Sequence, residues 1–441
     1  MMGKCVQLES ASIPCEDLES RLSLLQKENK RLSRLVDEAR KSMAPADELL
    51  CELQRNIKQI KSLKKRVKKT QNRTVEKPWS PPQIVVPPAI RDRDLAESVE
   101  VGIANHDHSG AIEQYVASHP AGSIWHLPAV TSFIESTYRH KVRYFFAADK
   151  SDQIVGVLPV VQLKSALFGN FMLSVPYFNY GGILSENRDV AQKLILAAES
   201  WRVAEQSEHI ELRHLAESGL GLRKRSHKVT FWLPIPDDVA DLWRSFKPKL
   251  RAQIRRGQRD LNDLSIGGLE LLDEFYRVFA INMRDLGTPV YGRHFFHNLL
   301  DSLGDKAWLV IGRIDGQAVT CALLTGFGDR MEIPWASSLR QVGQTGANMA
   351  MYWRILEFAG QQGYRYFDFG RCSPESGTYN FKRQWGAQEI PMHWDYVVPD
   401  TGGLPALNPD NPKFKLLIQV WKRLPLWVTK CVGPKIVKSL P

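Results

Sequence analysis

The chain has 441 residues, 43% hydrophobic and 24% charged, with a net charge of +11. That length and ordinary composition exclude a disordered or disulfide-stapled miniprotein and provide for two domains plus appendages. Six scattered cysteines with no Cys-x-x-Cys spacing argue against a disulfide framework or a zinc centre and fit a reducing cytoplasm. No cleavable leader is visible, and no uncharged apolar run reaches the roughly 18 to 20 residues of a membrane span, so a soluble or at most peripheral protein is expected.

The charge is unevenly placed. Lys58 to Arg73 holds eight Lys or Arg and no acid, and Lys413 to Lys438 holds seven and no acid; removing these fifteen from +11 leaves −4 for the rest. The basicity therefore belongs to the two ends, which suits arms that touch an anionic partner such as RNA, lipid head groups or polyanionic sugar carriers.

In chain order, residues 1–75 read as a helical arm. Leu18, Leu22, Leu25, Asn29, Leu32, Val36 and Ala39 follow a heptad seam, with Asn29 where one buried amide fixes register in a parallel dimer. Pro45 interrupts it, and Leu49, Leu53, Ile57, Ile60, Leu63 and Val67 start a second helix that carries the basic cluster. Either the two helices fold back as an antiparallel hairpin, or the first forms a coiled-coil homodimer and the second displays charge. Residues 76–96, with KPWSPPQIVVPP, form a stiff extended linker.

The body repeats one plan. Val142 to Ala148 and Gln153 to Leu163 predict a hairpin, apolar strands run through Phe171 to Tyr180, a helix covers Val190 to Ala204, and a strand ends at Ile210 to Arg213. About 160 residues on, Trp308 to Ile314 and Gln317 to Gly326 predict a hairpin across Asp315-Gly316. A strand at Met331 to Ala336, a helix at Asn348 to Gln361 and a strand ending at Phe367 to Arg371 follow. The expected fold is α/β (α+β), a tandem duplication with domains at 97–235 and 236–400 and a cleft where they meet.

Between the copies, Trp243 to Leu264 predicts one helix whose Lys247, Lys249, Arg251, Arg255, Arg256 and Arg259 suit a diphosphate or an RNA backbone, since guanidinium groups offer paired donors. The stretch from Tyr364 to Trp394 is the richest in chemistry. Asp368 and Arg371 fall near the end of a buried strand, a loop carries Gly377 and Tyr379, and Lys382 returns beside Trp385. His106-Asp107-His108 and His294-Phe295-Phe296-His297 lack a third ligand at metal-site spacing, so no metal is expected. The tail, 401–441, mixes Leu417, Val420, Trp421, Leu424 and Trp427 with Lys422, Arg423 and Lys430, a composition suited either to the membrane interface or to packing on the body.

The helix Arg251 to Arg259, the run Met283-Arg284-Asp285-Leu286-Gly287-Thr288-Pro289, and Phe367-Asp368-Phe369-Gly370-Arg371 with Gly377-Thr378-Tyr379-Asn380-Phe381-Lys382-Arg383-Gln384-Trp385-Gly386-Ala387 resemble the FemAB-related proteins. More narrowly, they resemble those FemAB-family members that accompany exosortase and PEP-CTERM exopolysaccharide systems. The likeness runs from about Glu97 to Val398 and implies two fused GNAT-type acyltransferase domains. It further implies formation of an amide bond on an amine acceptor, with aminoacyl-tRNA as acyl donor and a lipid-linked, glycan or peptide acceptor at the cytoplasmic membrane face.

On that resemblance Lys382 stabilises the donor ester or its oxyanion, Asp368 orients or deprotonates the acceptor amine, and Tyr379 joins them as a catalytic candidate. Arg371, Arg284, Arg255, Arg256 and Arg259 hold phosphate or carboxylate groups, with Tyr291 and Trp385 also against substrate. An acyl-CoA donor is the alternative: Arg340-Gln341-Val342-Gly343-Gln344-Thr345, then Gly346 and Asn348, partly matches a pyrophosphate loop but puts Thr345 where Gly or Ala belongs. A second alternative is a non-catalytic coiled-coil assembly factor of a polysaccharide export system.

Overall fold

The computed structural model describes residues 15–42, 45–71, 79–95, 98–261, 263–343, 345–399, 403–404 and 412–440. Cys5, Arg73, Lys77 and Gln344 lie outside them. The chain divides into two units, 1–78 and 79–441.

In the first unit, helices Cys15–Lys41 and Asp47–Gln71 are separated at Pro45, as the spacing predicts. Leu22 and Leu25 pack against Leu63 and Val67, near opposite ends of their sequences, so the helices run antiparallel. The chain's own second helix thus covers the seam that the heptads offered to a second copy. The Asn29 side-chain carbonyl is buried with no partner.

The second unit is built on strands β1 (Glu100–Ile103), β2 (Val142–Ala148), β3 (Ile154–Ser165), β4 (Gly169–Leu173), β5 (Leu184–Ser185), β6 (Ile210–His214), β7 (Arg223–Pro234), β8 (Asp263–Gly267), β9 (Ala307–Ile314), β10 (Gln317–Phe327), β11 (Arg330–Ser338), β12 (Tyr366–Asp368) and β13 (Gln388–Val397). They form one sheet in the order β1-β2-β3-β4-β6-β13-β7-β12-β11-β10-β9-β8, with β5 attached to β3.

The internal repeat is visible in the pairing. Strands β1 to β4 form an antiparallel meander, helix Arg188–Ala204 crosses over, and β6 lies parallel to β4. Strands β8 to β11 do the same, with helix Ala347–Gln361 leading to β12 parallel to β11. Each repeat then gives its last strand away. β7 leaves the first repeat and pairs with β12 of the second, β13 leaves the second and pairs with β6 of the first, and β7 and β13 pair with each other at the centre.

Three expected elements differ, one of them the loop expected to carry Gly377 and Tyr379, which is the short helix Gly377–Arg383. The single helix over Trp243 to Leu264 is two, Val239–Ser245 and Pro248–Asp260, because Pro248 cannot continue a helix but is well placed to begin one. The apolar run after Phe171 leaves the sheet at Leu173, since Pro176 lacks a ladder donor and Tyr177 has a φ of 75°. Residues 174–182 instead form a buried loop that reaches across to the second repeat.

Because β6 and β12 are each flanked by a strand from the other repeat, neither repeat closes its sheet alone. Residues 79–222 expressed alone should show no cooperative thermal transition by circular dichroism, whereas 79–441 should melt in one. Mixing 79–222 with 223–441 should restore that transition.

Candidate functional site

The seam is built around two acids. Glu332 on β11 and Asp368 on β12 are direct partners in the parallel ladder, and Asp368 also faces Trp232 of β7. Strand alternation sends Met331 and Phe367 into the core beneath helix Ala347–Gln361, and turns the acids toward the loop of the first repeat.

Asp368 is completely buried. Its Oδ2 accepts from the Tyr180 hydroxyl at 2.7 Å, and its Oδ1 accepts from the Thr230 hydroxyl at 2.5 Å and the Gly370 N–H at 2.8 Å. Glu332 accepts from the Trp125 indole N–H at 2.7 Å and from the Asn179 amide. Burial, and then the neighbouring Asp368, push Glu332 up to about 8. Arg330 lies over the rings of Trp232, at 4.3 Å, and Tyr180, at 5.4 Å.

Beyond Asp368 the chain turns through Gly370, whose φ of +72° would strain any other residue and whose Cβ position lies tight against the Ile333 carbonyl, at 3.1 Å. The carbonyls of Gly370 and Arg371 accept from Lys382 Nζ at 2.5 and 3.0 Å. Lys382 stands on the short helix Gly377–Arg383, capped by Ser376, and is 6% exposed. Burial lowers its pKa. An ammonium has three donors, so two carbonyls leave one N–H for a third acceptor.

Next to this loop is a cationic corner. Arg213 is satisfied by Glu211 and the Phe178 carbonyl, and lies over Trp394. Arg371 lies over the same indole at 5.6 Å, but its Nη1 is buried with no partner, and among the described residues no carboxylate pairs with it. Burial, then Arg213, push Arg371 down to about 10. Burial and Arg371 likewise lower Lys228, whose Nζ bonds the Ser373 hydroxyl at 2.7 Å. Tyr291 completes the corner; burial raises it to about 12 against the opposing pull of Arg371 and Arg213. Its ring packs in an aromatic wall with Tyr177, Phe295 and Trp335.

The structure therefore groups Arg371, Lys382 and Tyr291 and corrects other expectations. Asp368 does not reach an acceptor amine, because it is sealed in and both oxygens are engaged; it anchors the loop instead. Trp385 is a core residue, 1% exposed among Phe246, Tyr352 and Phe381, and not a substrate contact. Tyr379 is one helical turn before Lys382, but its hydroxyl bonds Glu389 and its ring packs on Phe231. Arg284 pairs with its neighbour Asp285, which also meets Arg340, and bonds none of the seam residues.

Arg255, Arg256 and Arg259 stand exposed on helix Pro248–Asp260, Arg255 over Trp243. The turn before helix Ala347–Gln361 closes on itself at three of its N–H groups. The N–H groups of Gly343, Thr345 and Ala347 bond Arg340, Val342 and the Thr345 hydroxyl, Gly346 is pressed against Gly257, and the Asn348 side chain accepts from Ser338. Among the described residues, no group of His, Cys, Asp and Glu is arranged to hold a metal. Sequence reasoning missed Glu332, Thr230 and Lys228; Tyr180 carried a signal as the end of the aromatic run from Phe171, which could line the cleft or lie in buried sheet, and Arg213 as the basic end of a buried strand.

Residues 248–383 match the family model described as an acetyltransferase (GNAT) domain. Among solved structures, FemX is 16% identical with a TM-score of 0.54, covering 73% of this chain and all of that one. A tandem GNAT protein from the clavulanic acid biosynthesis pathway is 10% identical, covering 69% of this chain and all of that one, at a TM-score of 0.45. L-PGS from Bacillus licheniformis is 13% identical, covering 74% and 96%, at 0.43. No curated protein sequence matches the chain. The domain match identifies an acyltransferase of the GNAT type, and the likeness to FemX shows a shared fold.

A buried carboxyl held protonated in the folded state, but ionised when unfolded, costs stability as pH rises from the ordinary carboxyl range toward 8. Glu332→Gln removes that titration, with Asn179 turning its amide to accept. The wild-type melting temperature should fall more between pH 6 and pH 9 than that of the variant; parallel curves would show that Glu332 is not the titrating group.

Proposed function

We propose that the chain forms an amide bond between an activated carboxyl group and an amine whose carrier also bears an anionic group. The observation that supports this reading is the cationic corner: Arg371 and Lys228 are buried or half-buried without a carboxylate partner, next to a lysine pinned by two carbonyls. Uncompensated cations out of bulk water are costly, and a phosphate or carboxylate on the substrate offsets that cost.

In the transfer, the acceptor nitrogen attacks the donor carbonyl carbon. The C–N bond forms, the negative charge gathers on the carbonyl oxygen, and the C–O ester bond then breaks, the departing oxygen taking the proton lost by the amine. The remaining N–H of Lys382 is the donor for the oxyanion, held in place before the reaction by the Gly370 and Arg371 carbonyls. Arg371 and Lys228 bind the acceptor's anion and fix the direction of attack, while Tyr291 and the aromatic wall exclude water.

An aminoacyl ester on tRNA is the donor this reading favours. The exposed Arg255, Arg256 and Arg259 suit a phosphate backbone, and the N–H groups of Gly343, Thr345 and Ala347 are already bonded within their own turn. An acyl-CoA thioester is the second reading, on the strength of the acetyltransferase family model. The resemblance of the closing motif to FemAB-family proteins of exosortase and PEP-CTERM systems supports an acceptor from cell-envelope or exopolysaccharide assembly.

Equilibrium binding to aminoacyl-tRNA and to acetyl-CoA at physiological salt separates the donors. Salt-sensitive binding of charged tRNA without CoA binding is expected; saturable CoA binding with weak RNA affinity would overturn the aminoacyl reading. Lys382→Met should lower kcat by about 100-fold or more with little change in donor affinity, the loss typical of an oxyanion donor. With phosphoethanolamine and ethanolamine as paired probe acceptors, the wild type should prefer the phosphorylated amine about 10-fold or more, since charge-assisted pairs contribute about 1.5–3 kcal/mol. Arg371→Ala should bring that ratio near unity.

A further inference from the structure

The sequence left the tryptophans of the tail between two roles, and the structure separates them. Trp421 is half-buried, whereas Trp427 is 70% exposed. Helix Leu426–Val437 buries Thr429, Gly433 and Val437, spaced four apart on one face. Its opposite side presents Trp427, Cys431 and Val432, with Lys435 and Lys438 at its end. The preceding helix Pro412–Trp421 exposes Leu417 and Val420, at 61% and 51%, and its Ile418 rests against Gly287, next to the exposed Leu286.

Large apolar side chains are thus grouped on the outside of two short helices. Between Leu417 and Leu440 the cations Lys422, Arg423, Lys430, Lys435 and Lys438 occur without a single carboxylate side chain. A soluble surface seldom groups tryptophan and aliphatic residues this way, and a protein partner would need a wholly acidic face. An anionic bilayer surface meets both demands: it receives the apolar residues at the headgroup boundary and attracts the cations. No described helix is long and apolar enough to cross a membrane, so contact is confined to the interface.

From this we infer that helices Pro412–Trp421 and Leu426–Val437 form a docking surface for an anionic lipid bilayer. The surface is mechanically joined to the seam. The carbonyl of Lys438 accepts from the Tyr177 hydroxyl at 2.6 Å and bonds the His140 ring, and Tyr177 packs edge-on against Tyr291 of the aromatic wall. Docking therefore holds the wall of the candidate site next to the headgroup layer, where an amine-bearing lipid or lipid-linked acceptor is presented. The surface stands independently of which acyl group is transferred.

The test is co-sedimentation of the full chain with vesicles of phosphatidylcholine alone and of phosphatidylcholine with phosphatidylglycerol, at physiological salt, alongside sedimentation velocity without lipid. Binding to the anionic vesicles only is expected, with at least about 10-fold weaker partitioning for the triple variant Leu417→Ser, Val420→Ser, Trp427→Ala. Those residues are exposed, so the variant should melt like the wild type. No binding to anionic vesicles overturns the inference. So does binding that survives the triple substitution, which assigns it to the basic N-terminal arm. A dimer in solution that the same substitutions dissociate assigns the face to a second copy of the chain.

Discussion

The Asp368 side chain is shut away from bulk solvent, and the seam is arranged to supply donors in its place. A buried carboxylate is tolerated only when its lone pairs are met, and here the donors come from three separate segments: Tyr180 from the loop of the first repeat, Thr230 from β7, and Gly370 from the turn after β12. One side chain thereby fixes the relative position of both repeats and the path of the turn. The same turn carries the two carbonyls that hold Lys382. The chain of contacts runs from Asp368 through the Gly370 N–H to the Gly370 carbonyl and on to the ammonium. Asp368 is accordingly a positioning residue that acts on Lys382 through the backbone.

Glu332 shows why two neighbouring acids behave differently. It shares the desolvation of Asp368, faces that acid across the ladder, and has two donors against the three of Asp368. Burial and a like neighbour favour its neutral form, and the pair avoids carrying two full charges in one buried place. A few residues away the imbalance has the opposite sign. Arg213 is neutralised by Glu211, but among the described residues no carboxylate forms an ion pair with Arg371 or Lys228. The proposed anionic acceptor would complete this arrangement, in which the buried acid is met and the adjacent cations are not.

How much of this was legible in the sequence depends on how local each signal is. The hairpin at Val142 to Ala148, the repeat distance and the helix at Asn348 to Gln361 follow from alternation, turn residues and helical spacing, all written in short windows. The Lys382 motif and Arg371 stood out because their residue types are unusual next to buried aromatics. Glu332, in the run Arg-Met-Glu-Ile-Pro-Trp, had no such mark, since an acid in an alternating strand reads as a solvent-facing position. It is buried by distant segments, the loop with Asn179 and Tyr180 and the turn with Trp125. Asp368 was noticed for the right reason and given the wrong role, because burial by a distant segment cannot be read from neighbours in sequence. The same holds for the Gly346 turn, where helix Pro248–Asp260 fills the space that a ligand would need.

The exchange of closing strands explains why the chemistry lies where it does. If each repeat kept its own last strand, two finished sheets would meet only through side chains, and the interface between them would be free to slide. With β7 and β13 crossed over, the ladder runs unbroken from β4 to β11, and the turn after β12 is held in register with β6 through two intervening strands. Backbone hydrogen bonds then set the separation between Arg213 at the end of β6 and Arg371 just beyond β12. Two guanidinium groups brought over one indole repel each other, and the rigid scaffold keeps Arg371 there beside the Glu211-paired Arg213. Duplication supplied two equivalent strand ends, each finishing in an arginine or a glycine-arginine pair, and the crossover made their convergence obligatory.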